Sequence, residues 1–96
     1  MGDEIRVEVK STIDIVTARQ SGRELAMKVG FTGAEVTLIA AAISEVARNI
    51  IDHAKSGEVL LASVNQGSHR GIQVIARDEG PGIRDVAQAM QYGYLT

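Results

Sequence analysis

Cysteine is absent from the 96 residues, which excludes disulfides and thiolate zinc sites and fits a reducing compartment. Tryptophan is also missing, and aromatic residues make up 3% of the chain. A core must therefore be aliphatic and rich in alanine, with little flat surface on which bases could stack. Neither sign of charge dominates: Lys plus Arg number 10 and Asp plus Glu 12, a net charge of -2. No basic stripe recurs, so a nucleic-acid partner is not expected. The longest uninterrupted apolar run, Leu38 to Ile43, is far too short to span a bilayer. The opening Met1-Gly2-Asp3-Glu4 is acidic and carries no apolar signal region. The expectation is a soluble, cytoplasmic protein without a membrane partner. What remains, 45% hydrophobic, suits one small globular domain.

Along the chain, Ile5-Arg6-Val7-Glu8-Val9-Lys10 alternates apolar and charged residues, the pattern of a half-buried strand. Ser11 with Asp14 three residues on reads as a capping box. Ile15, Ala18, Gly22, Leu25 and Val29 follow at helical spacing as a narrow apolar stripe, with Gly22 allowing close approach of another backbone. Arg19, Gln20, Arg23 and Glu24 lie off that stripe. Gly30 is placed to end this helix in a left-handed cap. Thr32 and Glu35 read as a second capping box. The helix they open is expected to run to about Ala54, burying Val36, Ile39, Ala40, Ile43, Val46, Ala47 and Ile50.

Lys55-Ser56-Gly57 reads as a turn, Glu58 to Val64 as a strand, Asn65 to Gly71 as a polar loop and Ile72 to Arg77 as another strand. A loop that short makes the two strands antiparallel. Arg84 to Tyr92 reads as a short helix. The order strand, helix, helix, strand, strand suggests helices layered on one face of a mixed sheet.

Two stretches carry chemistry. Counting about 100° per residue from Ile43, Glu45 falls near 200°, Asn49 near 240° and Asp52 near 180°. This polar trio faces away from the core stripe, beside the small Ala41 and Ala42. A carboxylate there can accept a proton, and an amide oxygen can hold a hard cation. The second stretch is Asp78-Glu79-Gly80-Pro81-Gly82. An aspartate at the end of a strand can accept a hydrogen bond from an exocyclic amine such as adenine's. Such a bond contributes about 1.5–3 kcal/mol, enough for roughly tenfold to hundredfold discrimination against a base with a carbonyl there. Taken alone, Glu-x-x-x-Asn is ordinary solvated helix and Asp-x-Gly-x-Gly an ordinary turn. Their joint occurrence with two strands between them is the informative feature.

Glu45-x-x-x-Asn49 followed by Asp78-x-Gly80-x-Gly82 resembles the first two boxes of the GHKL ATPases, the superfamily of gyrase, MutL and the sensor histidine kinases. Ala41-Ala42-Ile43-Ser44-Glu45-Val46-Ala47-Arg48-Asn49-Ile50, with Asp14-Ile15-Val16-Thr17-Ala18-Arg19-Gln20 and Gly22-Arg23 upstream, narrows the likeness. It resembles the RsbT-like serine/threonine switch kinases of the bacterial stressosome, along nearly the whole chain.

The resemblance implies an α/β fold of Bergerat (GHKL) type, an α+β two-layer sandwich, with residues 1–96 as a single ATP-binding kinase domain. It implies ATP and Mg²⁺ as cofactors. Asn49 would ligate magnesium, Glu45 would be the general base, Asp78 would read adenine, and Gly80 and Gly82 would shape the pocket wall. Arg48 reads equally as a phosphate or partner contact and as a plain surface arginine. The implied substrate is a serine or threonine on a STAS-domain protein of the RsbS/RsbR type, and the implied downstream partner an RsbU-like phosphatase. Members of the family carry a glycine-rich lid after the second box. This sequence ends at Thr96, so the expected fold is truncated before the lid and last strands, with weak nucleotide binding and little transfer from these residues alone.

Other readings stay open on the residues themselves. An anti-sigma factor of the same fold, which sequesters a sigma factor, is the main alternative, and the ATPase half of a histidine kinase is a third. His53 reads as a packed or capping residue and His69 as an exposed one. Ile83 and Met90 read as core before pocket lining. Arg19 and Arg23 are a solvated helix face by default and a docking patch for the substrate protein otherwise.

Overall fold

The computed structural model describes residues 4–66, 69–78 and 90–91. The elements follow in the order β1 (Glu4–Val9), α1 (Thr12–Val29), α2 (Ala34–Ala54), β2 (Gly57–Gln66), β3 (His69–Asp78) and β4 (Met90–Gln91). The strands form one sheet in sequence order, β1-β2-β3-β4. The result is an α+β arrangement in which both helices cover one face of the sheet.

Every described strand pair is antiparallel, which corrects the expected mixed sheet. The reason lies in the connections. Two helices separate β1 from β2, and each short link reverses the chain, so β2 returns antiparallel to β1. The strands also run longer than the sequence pattern indicated. β2 begins at Gly57 and pairs with β3 as far as Gln66 opposite His69, so most of the expected loop at 65–71 is ladder, and His69 belongs to β3. Backbone pairing does not need apolar residues and carries the strands past the hydrophobic run. The short helix expected over 84–92 is also corrected where it is described. Met90 and Gln91 form a strand paired with Val74 and Gln73, because the outer edge of β3 offers unpaired backbone groups.

The start of α1 is built as the sequence implies. The Asp14 carboxylate accepts hydrogen bonds from the backbone N–H groups of Lys10 at 2.8 Å and Ser11 at 3.1 Å. It also brings a negative charge to the positive end of the helix. At the other end Gly30 sits at φ 118°. Its N–H donates to the Ala26 and Met27 carbonyls, and the Phe31 N–H donates to Ala26, which closes the last turn. The second capping box does not form. Gly33 is the N-cap of α2 at φ 54°, without a side-chain cap. Thr32 lies one residue outside and accepts from the Glu35 N–H through its backbone carbonyl at 3.1 Å. A glycine adopts this positive φ at little cost and displaces the threonine from the capping position.

The two apolar stripes bury as read. Ile15, Ala18, Gly22, Leu25 and Val29 of α1 are buried, as are Val36, Ile39, Ala40, Ile43, Val46, Ala47 and Ile50 of α2. They close over Val7, Val9, Val59, Leu61, Ile72 and Val74 from the sheet. No polar or charged side chain is buried among the described residues. On the other face of the sheet, Glu58 of β2 accepts hydrogen bonds from Arg6 of β1 and Arg77 of β3, the latter at 3.3 Å.

Gly22 sets how closely the helices approach. A Cβ built there would collide with Ile43 Cδ1, and Ile43 is fully buried. Gly22→Leu is expected to lower the unfolding free energy by about 1–3 kcal/mol through overpacking. Adding Ile43→Ala should recover part of that loss. Urea titrations of the two single variants and the double variant measure the coupling, and strict additivity would refute the contact.

Candidate functional site

The long helix α2 carries the first cluster. Burying its apolar stripe fixes its rotation and turns Glu45, Arg48, Asn49 and Asp52 to the exposed side. Glu45 and Asn49 are one turn apart, so their Cβ atoms lie about 5–6 Å from each other. Glu45 has no hydrogen-bonded or ion-paired partner among the described residues. Its carboxylate is open to solvent and to any incoming group. Ser44, its half-buried neighbour, instead donates its hydroxyl to the Ala40 carbonyl at 3.0 Å. His53 is exposed in the last turn of α2, where a cation is favourable. It is not packed among apolar side chains.

Asp78 is the last residue of β3, and its backbone pairs with Gly57. Gly57 begins β2 three residues after α2 ends at Ala54. The exit of β3 and the C-terminal end of α2 therefore share one end of the molecule. Asn49 is five residues before Ala54, about 7–8 Å along the helix axis. Gly80, Gly82 and Ile83 lie outside the described residues, as do the side chains of Asp78, His69 and Met90.

A groove of 540 Å³ runs between the helices, lined by Arg19, Gln20 and Arg23 of α1 and by Thr37, Ala40, Ala41, Ser44 and Glu45 of α2. Glu45 thus stands on a ridge, with Asn49 farther round the helix and outside the groove. Periodicity placed each of these residues on its own helix. Their meeting across a groove depends on the spacing between helices that Gly22 allows.

The donor set bears on magnesium. Among the described residues no three His, Cys, Asp or Glu side chains are grouped to hold a metal. The Asn49 amide oxygen is a single hard donor. That fits an ion carried mainly by phosphate oxygens and water, as magnesium usually is, rather than one caged by the protein. The small, exposed Ala41 beside Glu45 leaves space for a bound group to lie along the helix.

Comparison with known proteins supplies the class. The chain is 40% identical over 96 residues to a serine/threonine-protein kinase of Bacillus subtilis strain 168, covering all of this chain and 72% of the relative. No protein-family model matches. The relative is RsbT, and at this identity and coverage the chain belongs to the RsbT family. Among the described residues no helix is long and apolar enough to cross a membrane.

Because Glu45 and Asn49 are exposed and hold no buried structure together, Glu45→Gln and Asn49→Ala should each leave the unfolding free energy within about 0.5 kcal/mol of the parent. Thermal or urea denaturation of the variants checks this. A large destabilisation would assign these side chains a structural role.

Proposed function

We propose that the protein is a serine/threonine kinase of a bacterial partner-switching stress pathway. It transfers the γ-phosphate of ATP to a STAS-domain protein of the RsbS/RsbR type, and on release it engages an RsbU-like phosphatase. The whole-chain likeness to RsbT is the observation that carries this reading. It is joined by an unengaged carboxylate and an amide one helical turn apart. The fold proposed for the whole is the Bergerat type of the GHKL ATPases.

Phosphoryl transfer asks a protein mainly for positioning, charge neutralisation and one base near the nucleophile. Bound magnesium-ATP supplies the phosphoryl group and most of the neutralising charge. Asn49 offers its amide oxygen to the metal and so sets where the triphosphate lies along α2. Glu45 takes the proton from the attacking serine or threonine hydroxyl as its oxygen bonds to the γ-phosphorus and the bond from that phosphorus to the bridging oxygen of the leaving ADP breaks. Being one turn from Asn49, it acts within reach of the transferred group. The Asp78 carboxylate accepts a hydrogen bond from the adenine amine at the other end of the nucleotide, with Gly80 and Gly82 beside the ring. Arg48, one residue before Asn49 and exposed, is available to a phosphate oxygen.

Three substitutions separate these roles. In a full-length form, Asn49→Ala should abolish magnesium-dependent ATP binding in calorimetric titrations. Glu45→Gln should retain binding while slowing transfer to the STAS acceptor by about 10²–10⁴-fold. Equal loss of binding in both variants would argue against the division of labour. Asp78→Ala should reduce the preference for ATP over GTP by roughly tenfold or more, and an unchanged preference would remove Asp78 from base recognition. A stable complex with a sigma factor would favour the anti-sigma alternative.

A further inference from the structure

Among the described residues β1 is an edge strand. It pairs with β2 on one side, and no described strand meets its other side. Native sheets protect such an edge with charge, bulges or cover, because its free N–H and C=O groups can pair with another chain. The charge on β1 has an order. Ile5, Val7 and Val9 pack toward the helices. Glu4, Arg6, Glu8 and, just after the strand, Lys10 are all exposed and alternate in sign.

The row of side chains that crosses the outer face at Glu8 is out of balance. Glu8 is directly opposite Glu58 of β2, and Glu58 is directly opposite Arg77 of β3. Two carboxylates therefore stand side by side, and like charges in that position oppose pairing. Glu58 has Arg6 and Arg77 as partners. Glu8 has Lys10 at 3.7 Å, with both side chains more than half exposed. A cation arriving from beyond the free edge would complete the row on Glu8's open side.

We propose that β1 pairs antiparallel with β1 of a second copy of this chain, about a two-fold axis at Val7. In that register Val7 meets the partner's Val7, Ile5 the partner's Val9, Arg6 the partner's Glu8 and Glu4 the partner's Lys10. Every charged residue of the strand faces its opposite, and the symmetry makes each unlike pair twice. The alternatives that keep both sets of helices on one face fail. Centring on Arg6 sets Arg6 on the partner's Arg6 and Glu4 on the partner's Glu8. Centring on Glu8 sets Glu8 on the partner's Glu8 and Arg6 on the partner's Lys10. A shift by one place sets apolar side chains against charged ones. The same charges thus block indiscriminate pairing and select one geometry, and the strand is complementary to itself. Arg6 is free to turn to the partner's Glu8 because Arg77 still holds Glu58.

The two-fold joins two four-stranded sheets into one, with the helices of both copies on the same side. Glu45 and Asn49 face away from the sheet in each copy, so both sites stay open. A ladder from Glu4 to Lys10 covers less surface than a standard interface of about 1,600 Å², so the association is weak and depends on concentration in the micromolar range. The inference does not depend on the kinase reading.

Sedimentation equilibrium over a concentration series tests it. The protein should show a reversible monomer–dimer equilibrium. Arg6→Glu and Glu8→Arg each set like charges opposite one another at both symmetric positions, and each should raise the dimer dissociation constant by about tenfold or more. Mixed in equal amounts, these two variants should associate with each other within about threefold of the parent affinity, since every substituted side chain then meets an opposite charge. The double variant Arg6→Glu/Glu8→Arg should likewise pair with itself. Recovery in the mixture separates a lost contact from a lost fold. A protein that stays monomeric at every concentration would overturn the proposal. So would a dimer that the single variants leave unchanged, which would place the contact on another surface, or a loss that neither the mixture nor the double variant restores.

Discussion

The close packing of α1 on α2 is the constraint from which the rest of the arrangement follows. Gly22 has no side chain, and the fully buried Ile43 fills the space it leaves. That contact fixes the distance between the helices and their register. Both stripes then reach the same side of the sheet, and the core can close with aliphatic residues and one buried phenylalanine, Phe31. A chain with so few aromatics buries less apolar area per residue, so it relies on close fit for its dispersion contacts.

The two faces of the sheet are stabilised by different physics. Toward the helices, β2 and β3 present Val59, Leu61, Ile72 and Val74, all at 0% exposure, and burial of these side chains is the favourable term. On the other side, Glu58 is shared by arginines from both neighbouring strands. The two arginines are largely open to solvent while the Glu58 side chain between them is mostly covered, and with one partner solvated each pair contributes modestly, about 0–1 kcal/mol. Their role is to fix the strand register across three strands, since a slip by one residue would exchange wet and dry faces.

Rigidity behind the site and exposure in front of it belong together. α2 is held along its whole buried stripe, so the directions of Glu45 and Asn49 are set by packing, without hydrogen bonds of their own. In the proposed mechanism these are the groups that would receive a proton and a cation, and both stay unengaged. The cost of ordering them is met by apolar contacts on the far side of the same helix.

Much of this was legible in residue order, because helical periodicity reports directly which side of a helix is buried. Both stripes, the outward direction of Glu45, Arg48 and Asn49, the Asp14 box and the Gly30 cap follow from spacing alone. The family resemblance was also legible, as a likeness in the residues around Glu45 and Asn49. Strand limits were less legible, since backbone pairing continues through polar residues such as Asn65, Gln66 and Arg70 once the ladder has started. Thr32 lost its capping place to Gly33 for a local reason that composition does not reveal. Only the tertiary structure decided the antiparallel return of β2, the pairing of Met90 and Gln91 with β3, and the groove that brings Arg19 and Arg23 opposite Glu45. Each depends on the distance and register between elements far apart in the chain, and a one-dimensional pattern of apolar and polar residues does not encode them.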